Sequence, residues 1–560
     1  MLLSQSYRLL YDRLQKGDLL DELFDVYVLN ERIPMLLLQI LIKTIQSQHL
    51  DGSWDGACEI TAYAVLALSA ISHVPCVLLL PHNENILAAI QRGKTFLNLH
   101  RSDWTDGHYL WVEKVTYASS ILSEAYCLAA AAIPIKNSVR DQPKISWGLS
   151  SVEPLFHEMR RAGAILKATP LFSQVEPHIL VIAELQACYA LCALQRQRLD
   201  IFPRSSMGKD RYLTFIPLTW TACSSVLGGK QNMSLLCEMM TLSMLNYQID
   251  EFMEVDVERR FGGDLCVVRL VIQELFAEFG LPSSEESFQT QSGQRVSTEH
   301  RNDLDSIRLT LSRYITYILH YPEVLSSPAS LQHKLAFELK TFLLAHLKHA
   351  EDNRRFRRQL TSGTPTSSTR DFHATGNMGG IDQKKFSRCG DQKHSFYSWV
   401  RSTSADHTSC PFSFIFFNCL ISNYRSNAFS TSRTAYVTED LCRHLATLCR
   451  MYNDYGSVAR DKDEGNLNSI DFSEFQHSPI TEVSEKTEKE LEHILKTELL
   501  WLAEYERRGL DMAFMQLEED LGSTHGRLVD SLKLFIHVTD LYGQIYVQKD
   551  IATRVERDLE

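Results

Sequence analysis

The chain has 560 residues, with 57 lysines and arginines against 69 aspartates and glutamates, so its formal net charge is −12. This acidic balance excludes a basic nucleic-acid-binding protein as the default, because such proteins attract phosphates with a positive surface. We therefore expect no nucleic-acid partner. Hydrophobic residues at 44% and aromatic residues at 10% are typical of globular proteins, which excludes a largely disordered or fibrous chain.

The cysteines and the apolar stretches indicate where the protein resides. Thirteen cysteines are scattered without any Cys-x-x-Cys pair, which is typical of reduced core thiols in an intracellular protein. The first residues become charged too early for a signal peptide, so we expect a cytoplasmic protein. Residues 60–80 are about long enough to span a membrane. Because they include His73 and Pro75, we interpret them as a buried helix, a break and a second short helix, and expect no stable membrane span.

Helical periodicity dominates the chain from one end to the other. In the N-terminal part, helices are predicted at 59–70 and 110–131, each after a turn that contains tryptophan. Four later windows carry apolar residues every three or four positions with few Gly or Pro, namely 235–254, 331–350, 437–459 and 485–507. We find no convincing period-two alternation and no strand–turn–strand signal. The predicted fold class is all-α.

Polar stretches and a change of character divide the chain. Residues 283–305 and 351–392 are rich in Ser, Thr, Gly and charge, which predicts polar insertions or solvated loops. The second stretch includes the basic run 354–358, which could clamp a phosphate, although a solvated surface is the favoured interpretation. Tryptophan-bearing turns give way to longer helices with acidic motifs near residue 150. We place a domain boundary there.

The turn before the first N-terminal helix has a distinctive pattern. Gln48, Asp51, Gly52 and Trp54 stand in the spacing Gln-x-x-Asp-Gly-x-Trp, and a degenerate copy surrounds Trp104. A tryptophan that packs back over a helix, with Gln and Asp capping helix ends, suits the stacked helices of an α/α-barrel. The spacing resembles the QW repeat of triterpene cyclases and class II diterpene cyclases, and a working class II cyclase needs an Asp-x-Asp-Asp acid to start cyclisation by protonation. No Asp-x-Asp-Asp sequence occurs in the 560 residues, so this reaction is not expected from the chain alone.

Two acidic residues lie at the C-terminal end of the helix predicted at 235–254. Asp250 and Glu254 are four residues apart and share one helix face. Such a pair is usually part of a solvated surface. Here the preceding positions are mostly apolar, namely Met239, Leu242, Leu245, Asn246 and Ile249. We interpret the two carboxylates as pointing into a cavity.

A second polar stripe lies on the helix predicted at 437–459 and just beyond it. Asn453, Ser457 and Asp461 recur every four residues and offer amide, hydroxyl and carboxylate oxygens, the hard ligands that Mg²⁺ prefers. Facing the first pair, they would form the mouth of a trinuclear magnesium site. The alternative is a solvated helix face. Arg450 and Arg460 flank the stripe and are suited to grip a diphosphate, or are ordinary surface charges.

These motifs, in this order on an all-α chain, resemble those of class I terpene synthases. The first pair resembles the aspartate-rich motif, written Asp-Glu as in a fungal subgroup, and the stripe resembles the NSE-type motif with Asp461 in place of Glu. Together with the tryptophan turn and segments 110–129 and 211–223, the chain resembles the C-terminal part of fungal bifunctional copalyl diphosphate/ent-kaurene-type diterpene synthases. The resemblance implies a partial class II-like β domain over 1–150 and a class I α domain over 151–560.

The resemblance also implies a reaction. A class I diterpene synthase ionises a copalyl diphosphate with Mg²⁺, three ions with substrate bound, and cyclises the cation to a polycyclic kaurene-, pimaradiene- or aphidicolane-like diterpene, releasing diphosphate. A separate class II cyclase would supply the substrate. Aromatic rings suited to a cation-stabilising pocket wall, or to plain core packing, are Phe215, Trp220, Tyr247, Tyr452 and Tyr455.

Two other interpretations stay open. The chain could be a truncated fragment of a bifunctional enzyme that also makes copalyl diphosphate from geranylgeranyl diphosphate. It could also be a catalytically inactive helical scaffold that keeps the shape of a cyclase. Incubation with copalyl diphosphate and Mg²⁺ separates the scaffold from the enzymes, because a scaffold releases neither diphosphate nor hydrocarbon.

Overall fold

A computed structural model gives the architecture of the protein. It describes residues 1–15, 27–81, 84–108, 110–112, 115–134, 152–196, 199–203, 213–280, 298–362, 395–422, 429–476, 488–522 and 525–548. Within these ranges helices predominate, and the predicted all-α class is confirmed.

The described ranges contain 21 α-helices. In chain order they are α1 Leu2–Gln15, α2 Ile33–Gln46, α3 Cys58–Ile71, α4 Glu84–Leu99, α5 Ser120–Ala132, α6 Val152–Lys167, α7 Pro177–Arg196, α8 Phe215–Val226, α9 Met233–Glu251, α10 Glu258–Phe261, α11 Cys266–Ala277, α12 Thr298–Leu319, α13 Pro322–Leu325, α14 Ala329–Ser362, α15 Phe396–Arg401, α16 Thr403–His407, α17 Cys410–Ile421, α18 Ser432–Glu464, α19 Ser473–Gln476, α20 Glu488–Leu521 and α21 Gly526–Gln548. Of the four long helical windows predicted from the sequence, 331–350 lies in α14 and 437–459 lies in α18. Window 235–254 begins in α9 and ends in the π-helical segment Phe252–Val257, and the described part of 485–507, from residue 488, lies in α20.

The chain divides into two compact units. The first contains Met1–Arg198 and Tyr212–Thr241, and the second contains Leu199–Arg211 and Leu242–Glu560. Helices α6, α7 and α8, which follow residue 150, therefore belong to the first unit. Residues 135–151, where the sequence places a boundary, lie outside the described part, and the division into domains 1–150 and 151–560 stays a prediction.

In the first unit, the tryptophan turn ties three helices together. The indole N–H of Trp54 donates to the carbonyl of Thr44 at the end of α2, at 2.7 Å. The side-chain amide of Gln48 donates to the carbonyls of Gly52 (3.0 Å) and of Ala89 on α4 (2.9 Å). Trp54 is only 4% exposed. The motif therefore fixes how α2, α3 and α4 stack, which is the structural role expected from its spacing.

The helix predicted over 110–131 begins ten residues late. Leu110–Val112 and Val115–Tyr117 form an antiparallel hairpin, β1 and β2, with Leu110 opposite Tyr117. Helix α5 starts at Ser120, after the Ser119 hydroxyl has accepted the Leu122 N–H at 3.3 Å. The helix prediction is wrong for this segment because the run LWVEKVTY is rich in β-branched and aromatic residues, which favour strands.

The apolar stretch 60–80 folds as interpreted from the sequence. Helix α3 ends at Ile71, and a short 3₁₀ turn, Val77–Leu79, follows the break at Pro75. Among the described residues, α7 is the one helix long and apolar enough to cross a membrane by length and composition, but 78% of its most apolar window is buried within the protein.

In the second unit, α18 packs closely against α20 and α21. A β-carbon added at Gly456 would lie 2.7 Å from the carbonyl oxygen of Tyr546, so α21 approaches the backbone of α18 directly. Helix α18 ends at Gly465, whose φ of +68° is the left-handed conformation that glycine adopts at a helix end. The position of α18 is thereby fixed along the length that carries the polar stripe.

Only parts of the two predicted polar insertions lie among the residues that the structure describes. Residues 281–297 and 363–394 lie outside the described part, whereas 351–362 continue α14 as regular helix rather than as a loop. Phe356 is buried, and Arg357 Nε donates to the carbonyl of Gly465 at 3.2 Å. The basic run is therefore not a uniformly solvated surface, because Phe356 is buried and Arg357 contacts Gly465, which caps the end of α18.

The close contact between α3 and α4 predicts a stability effect. A β-carbon at Gly93 would lie 2.6 Å from Val65 Cγ2 and 2.9 Å from Trp54 Cζ3. We expect Gly93→Ala to lower the free energy of unfolding by about 1–3 kcal/mol through overpacking. Gly526→Ala is the control, since nothing lies within 4 Å of its added carbon, and its effect should be close to zero. Urea unfolding followed by circular dichroism measures both, and equal stabilities would contradict the packing argument.

Candidate active site

The first acidic pair lies where α9 changes its winding. Asp250 is in the last turn of α9, and Glu254 is in the π-helical segment Phe252–Val257 that continues it. Such wide turns are frequent at functional sites. Phe252, Met253 and Val257 are buried, while the Asp250 and Glu254 side chains are 38% and 57% exposed. The carboxylates therefore face a space that solvent reaches, above an apolar floor.

Three histidines that the sequence analysis missed surround this pair. His346 Nε2 lies 3.2 Å from Asp250 Oδ1, and His407 Nε2 lies 3.9 Å from Glu254 Oε1. His346 Nδ1 and His407 Nε2 are 2.9 Å apart. His349 stacks on the His407 ring with centroids 4.2 Å apart. The signal was present in the sequence, because residues 346 and 349 share a face of the helix predicted at 331–350.

The electrostatics of the pair favour a cation. Partial desolvation in the cleft and the neighbouring charge of Asp250 raise the pKa of Glu254 to about 7, while His346, Arg460 and Arg450 act in the opposite direction. Two carboxylates that repel each other are stabilised by a positive ion between them. The influence of both arginines, which lie on α18, shows that the second motif is within electrostatic reach of the first.

The second motif forms a buried polar face on α18. Ser457 Oγ donates to Asp461 Oδ2 at 2.6 Å, and Asn468 Nδ2 donates to the same oxygen at 2.8 Å. Ser457 is fully buried and Asp461 is 7% exposed, while Asn453 is half-buried. The solvated-face alternative therefore does not describe Ser457 or Asp461, which are already joined side by side.

A buried ion pair braces this face. Arg450 Nε lies 2.8 Å from Asp454 Oδ1, and the other oxygen of Asp454 accepts the Ser469 N–H at 2.9 Å. Arg450 is 7% exposed, donates to the carbonyl of Leu467 at 3.3 Å, and lies over the ring of Trp399. Burial raises the pKa of Asp454 to about 6 even though Arg450 lowers it. The structure thus engages Arg450 within the protein, whereas Arg460 is half-buried and its charge acts on Glu254.

Helix α14 contacts the loop that follows α18. The Leu467 N–H donates to Asn353 Oδ1 at 3.0 Å, and Arg357 Nη2 donates to Asn466 Oδ1 at 2.9 Å. The next residue, Asn468, caps the 3₁₀ turn Ser469–Asp471 and holds Asp461. The loop that positions the second motif is therefore fastened to the same helix that carries the histidines.

The predicted pocket-wall tyrosines have different surroundings. Tyr247 on α9 is half-buried and lies edge-on to a tyrosine of α21, with centroids 6.2 Å apart. Tyr452 is 5% exposed, and its hydroxyl accepts a hydrogen bond from Arg507 at 2.8 Å. Tyr455 is half-buried, with a lysine ammonium of α20 at 4.7 Å from its ring. Tyr452 and Tyr455 thus face α20, and the wall role of all three stays a prediction.

Phe215 and Trp220 lie in the first compact unit rather than in the unit that contains the two motifs. Both lie on α8, are 5% and 2% exposed, and belong to the first compact unit, whereas the acidic pair and the polar stripe belong to the second. Core packing within the first unit accounts for their burial. Their predicted role in the pocket wall is not tested by this arrangement.

The oxygen donors fit Mg²⁺. Asp250 Oδ1 is buried and lacks a well-aligned hydrogen bond, so a cation would satisfy it. The remaining predicted donors, Glu254, Asn453, Ser457 and Asp461, are carboxylate, amide and hydroxyl groups, which suit a hard cation. The five candidates are therefore compatible with the magnesium site that the resemblance implies.

Comparisons with known proteins identify relatives. The chain is 35% identical over 547 residues to a pimaradiene synthase of Emericella nidulans, covering 92% of this chain and 51% of that protein. It is 31% identical over 543 residues to an ent-kaur-16-ene synthase of Fusarium fujikuroi (94% and 52%), and 30% identical over 565 residues to a phyllocladan-16-alpha-ol synthase of Phomopsis amygdali (93% and 52%). No family model matches the chain, and no solved structure matches it.

These relatives are diterpene synthases of fungi, so the resemblance inferred from the motifs is confirmed. This chain is a relative of the fungal diterpene synthases. It spans about half the length of the curated relatives it matches.

The buried brace on α18 predicts a large loss of stability. Replacing Arg450 with Met leaves Asp454 buried without its cation, which should cost about 3–5 kcal/mol. Arg433→Met is the matched control on the same helix: its partner is Asp520 at 3.0 Å, but Arg433 is 67% exposed, so the loss should be below about 1 kcal/mol. Denaturant unfolding compares the two variants, and similar losses would show that Arg450 is no brace.

Proposed function

We propose that the chain is a class I diterpene synthase that acts in the cytoplasm on a copalyl diphosphate. It ionises this substrate, cyclises the carbocation to a polycyclic diterpene of kaurene, pimaradiene or aphidicolane type, and releases diphosphate. One observation carries the proposal: Asp250 and Glu254 lie in one compact unit with the buried Ser457–Asp461 pair, and the arginines of α18 act on Glu254. The names of the relatives support the diterpene class.

Each motif residue has a role in this reaction. Asp250, Glu254, Asn453, Ser457 and Asp461 are the donors that would hold Mg²⁺, for which the resemblance implies three ions. Mg²⁺, when bound, neutralises a diphosphate and makes it a better leaving group. On α18 the hydrogen bonds from Ser457 and Asn468 fix the Asp461 carboxylate before substrate arrives. Donors that are already in position need no reorganisation during ionisation.

We assign different roles to the two arginines of α18. Arg460 lies one position before Asp461 and its charge acts on Glu254, so we assign it to bind the diphosphate. Arg450 was predicted for the same task. Its contacts with Asp454 and Leu467 make it a positioning residue for the polar face, because a buried guanidinium with these partners is not free to follow a substrate.

A longer bifunctional enzyme is the second candidate. The chain spans about half the length of its relatives, which favours the hypothesis that a native form also makes copalyl diphosphate from geranylgeranyl diphosphate. The 560 residues contain no Asp-x-Asp-Asp acid. The coding DNA immediately upstream distinguishes the candidates: an in-frame Asp-x-Asp-Asp there favours the bifunctional enzyme, whereas the class I activity alone needs copalyl diphosphate from a separate class II cyclase.

The donor assignment is tested by substitution. Asp250→Ala and Asn453→Ala should each lower turnover of copalyl diphosphate by about 10²-fold or more, because each removes a group that stabilises the departing charge. Gas chromatography of products from ent-, syn- and normal copalyl diphosphate measures turnover. Asp463→Ala, which removes an exposed carboxylate of the same α18, should retain wild-type activity. All three variants should keep the helical circular dichroism signal.

Removal of metal is the companion experiment. EDTA should abolish turnover, and added Mg²⁺ should restore it. If either alanine variant kept a tenth or more of the wild-type rate, the donor assignment would be wrong. If no copalyl diphosphate isomer were consumed at all, the scaffold interpretation would replace the enzyme.

A further inference from the structure

Three side chains next to Asp250 converge on one point. Glu254, His346 and His407 each offer a ligand atom, and the three atoms lie within 4.8 Å of one another. His407 Nε2 lies 3.9 Å from Glu254 Oε1 and 2.9 Å from His346 Nδ1. A transition metal with bonds of about 2.0–2.1 Å to nitrogen separates two ligands at right angles by about 2.9 Å. The two imidazole nitrogens therefore already stand at the spacing of neighbouring metal ligands.

The environment of each ring supports this use. His346 is buried, and its far nitrogen, Nε2, lies 3.2 Å from Asp250 Oδ1. Histidines that bind metals usually turn their second nitrogen toward a carboxylate, which fixes the tautomer and leaves the other nitrogen with its lone pair. His407 is held by the stacked ring of His349 at 4.2 Å. Metal binding then requires that the His407 proton sits on Nδ1 and that the Glu254 carboxylate moves closer to His407 Nε2, from which it is 3.9 Å away.

The ligand set also indicates which cation. Imidazole nitrogen with one carboxylate suits borderline divalent ions such as Co²⁺, Ni²⁺ and Zn²⁺, whereas Mg²⁺ prefers oxygen. Glu254 keeps 57% of its side chain exposed, which leaves a route for the ion and open positions for water.

We propose that Glu254, His346 and His407 bind one borderline divalent transition-metal ion, with the Asp250 carboxylate 3.2 Å from the second nitrogen of His346. This site differs in chemistry from the oxygen-donor magnesium site and does not require the proposed diterpene synthase activity. It shares Glu254 with that site, so a bound transition metal removes one donor from the magnesium set.

The test is Co²⁺ binding to the full chain. The protein is stripped with EDTA, desalted and titrated with Co²⁺ in millimolar Mg²⁺ without any diphosphate. We expect one Co²⁺ per chain after desalting, with visible d–d absorption bands of nitrogen-ligated Co²⁺. His407→Gln, His346→Phe and Glu254→Gln should each weaken Co²⁺ binding at least tenfold. Glu254 is largely exposed, so its variant keeps the test valid even if a histidine variant fails to fold.

Two controls separate this site from its surroundings. His349→Phe keeps a ring stacked on His407 and removes no ligand, so it should bind Co²⁺ like the wild type. Asn453→Ala, which should abolish turnover, should also bind Co²⁺ normally, so failure of the proposed function and failure of this site are distinguishable. The site is refuted if no Co²⁺ remains after desalting, or if the ligand variants bind it as tightly as the wild type. In that case the two histidines form only a hydrogen bond.

Discussion

One face of α14 sets the distance between the two halves of the candidate site. His346 lies beside Asp250, and seven residues later Asn353 receives the backbone N–H of Leu467, in the loop that positions the second motif. Seven residues of α-helix rise about 10 Å. Because a helix does not stretch, this separation is built into α14 rather than left to the loops. A substitution that shifted α14 along its axis would displace both motifs together.

Charge burial is the second constraint, and it acts on α18. Asp454 is fully buried, and burying its charge without a partner would cost free energy of folding. Arg450 and the N–H and hydroxyl of Ser469 provide these partners. This arrangement fixes the rotation of α18 about its own axis, since turning the helix would expose the ion pair or leave it unsatisfied. Ser457 and Asp461 lie one and two turns further on and inherit the same orientation. Their geometry is therefore set before any ligand is present.

Much of the second unit can be predicted from the sequence, because helical periodicity over long windows reports burial directly. The stripe from Asn453 to Asp461 is visible for that reason. Periodicity does not show whether a segment winds as an α-helix, a π-helix or a strand, nor which elements contact one another in the folded protein. The π turn that carries Glu254 keeps an ordinary apolar pattern, and residues 110–117 share their apolar content with helices although their β-branched residues pair as strands. The placement of Trp220 in the first unit depends on contacts far apart in sequence, which composition does not encode.

Two of the histidines, His349 and His407, do not cancel the negative charge of the acidic cleft. A protonated imidazole beside Asp250 and Glu254 would neutralise them and compete with any incoming cation. Burial, helped by the positive charge of Arg450, instead lowers the pKa of His349 and His407 well below its usual range, so these rings stay neutral. Neutral rings donate hydrogen bonds or lone pairs without cancelling charge. The cleft therefore keeps its carboxylates beside rings that do not cancel their charge, and the positive charges of Arg450 and Arg460 on α18 only partly offset it, which favours an incoming cation.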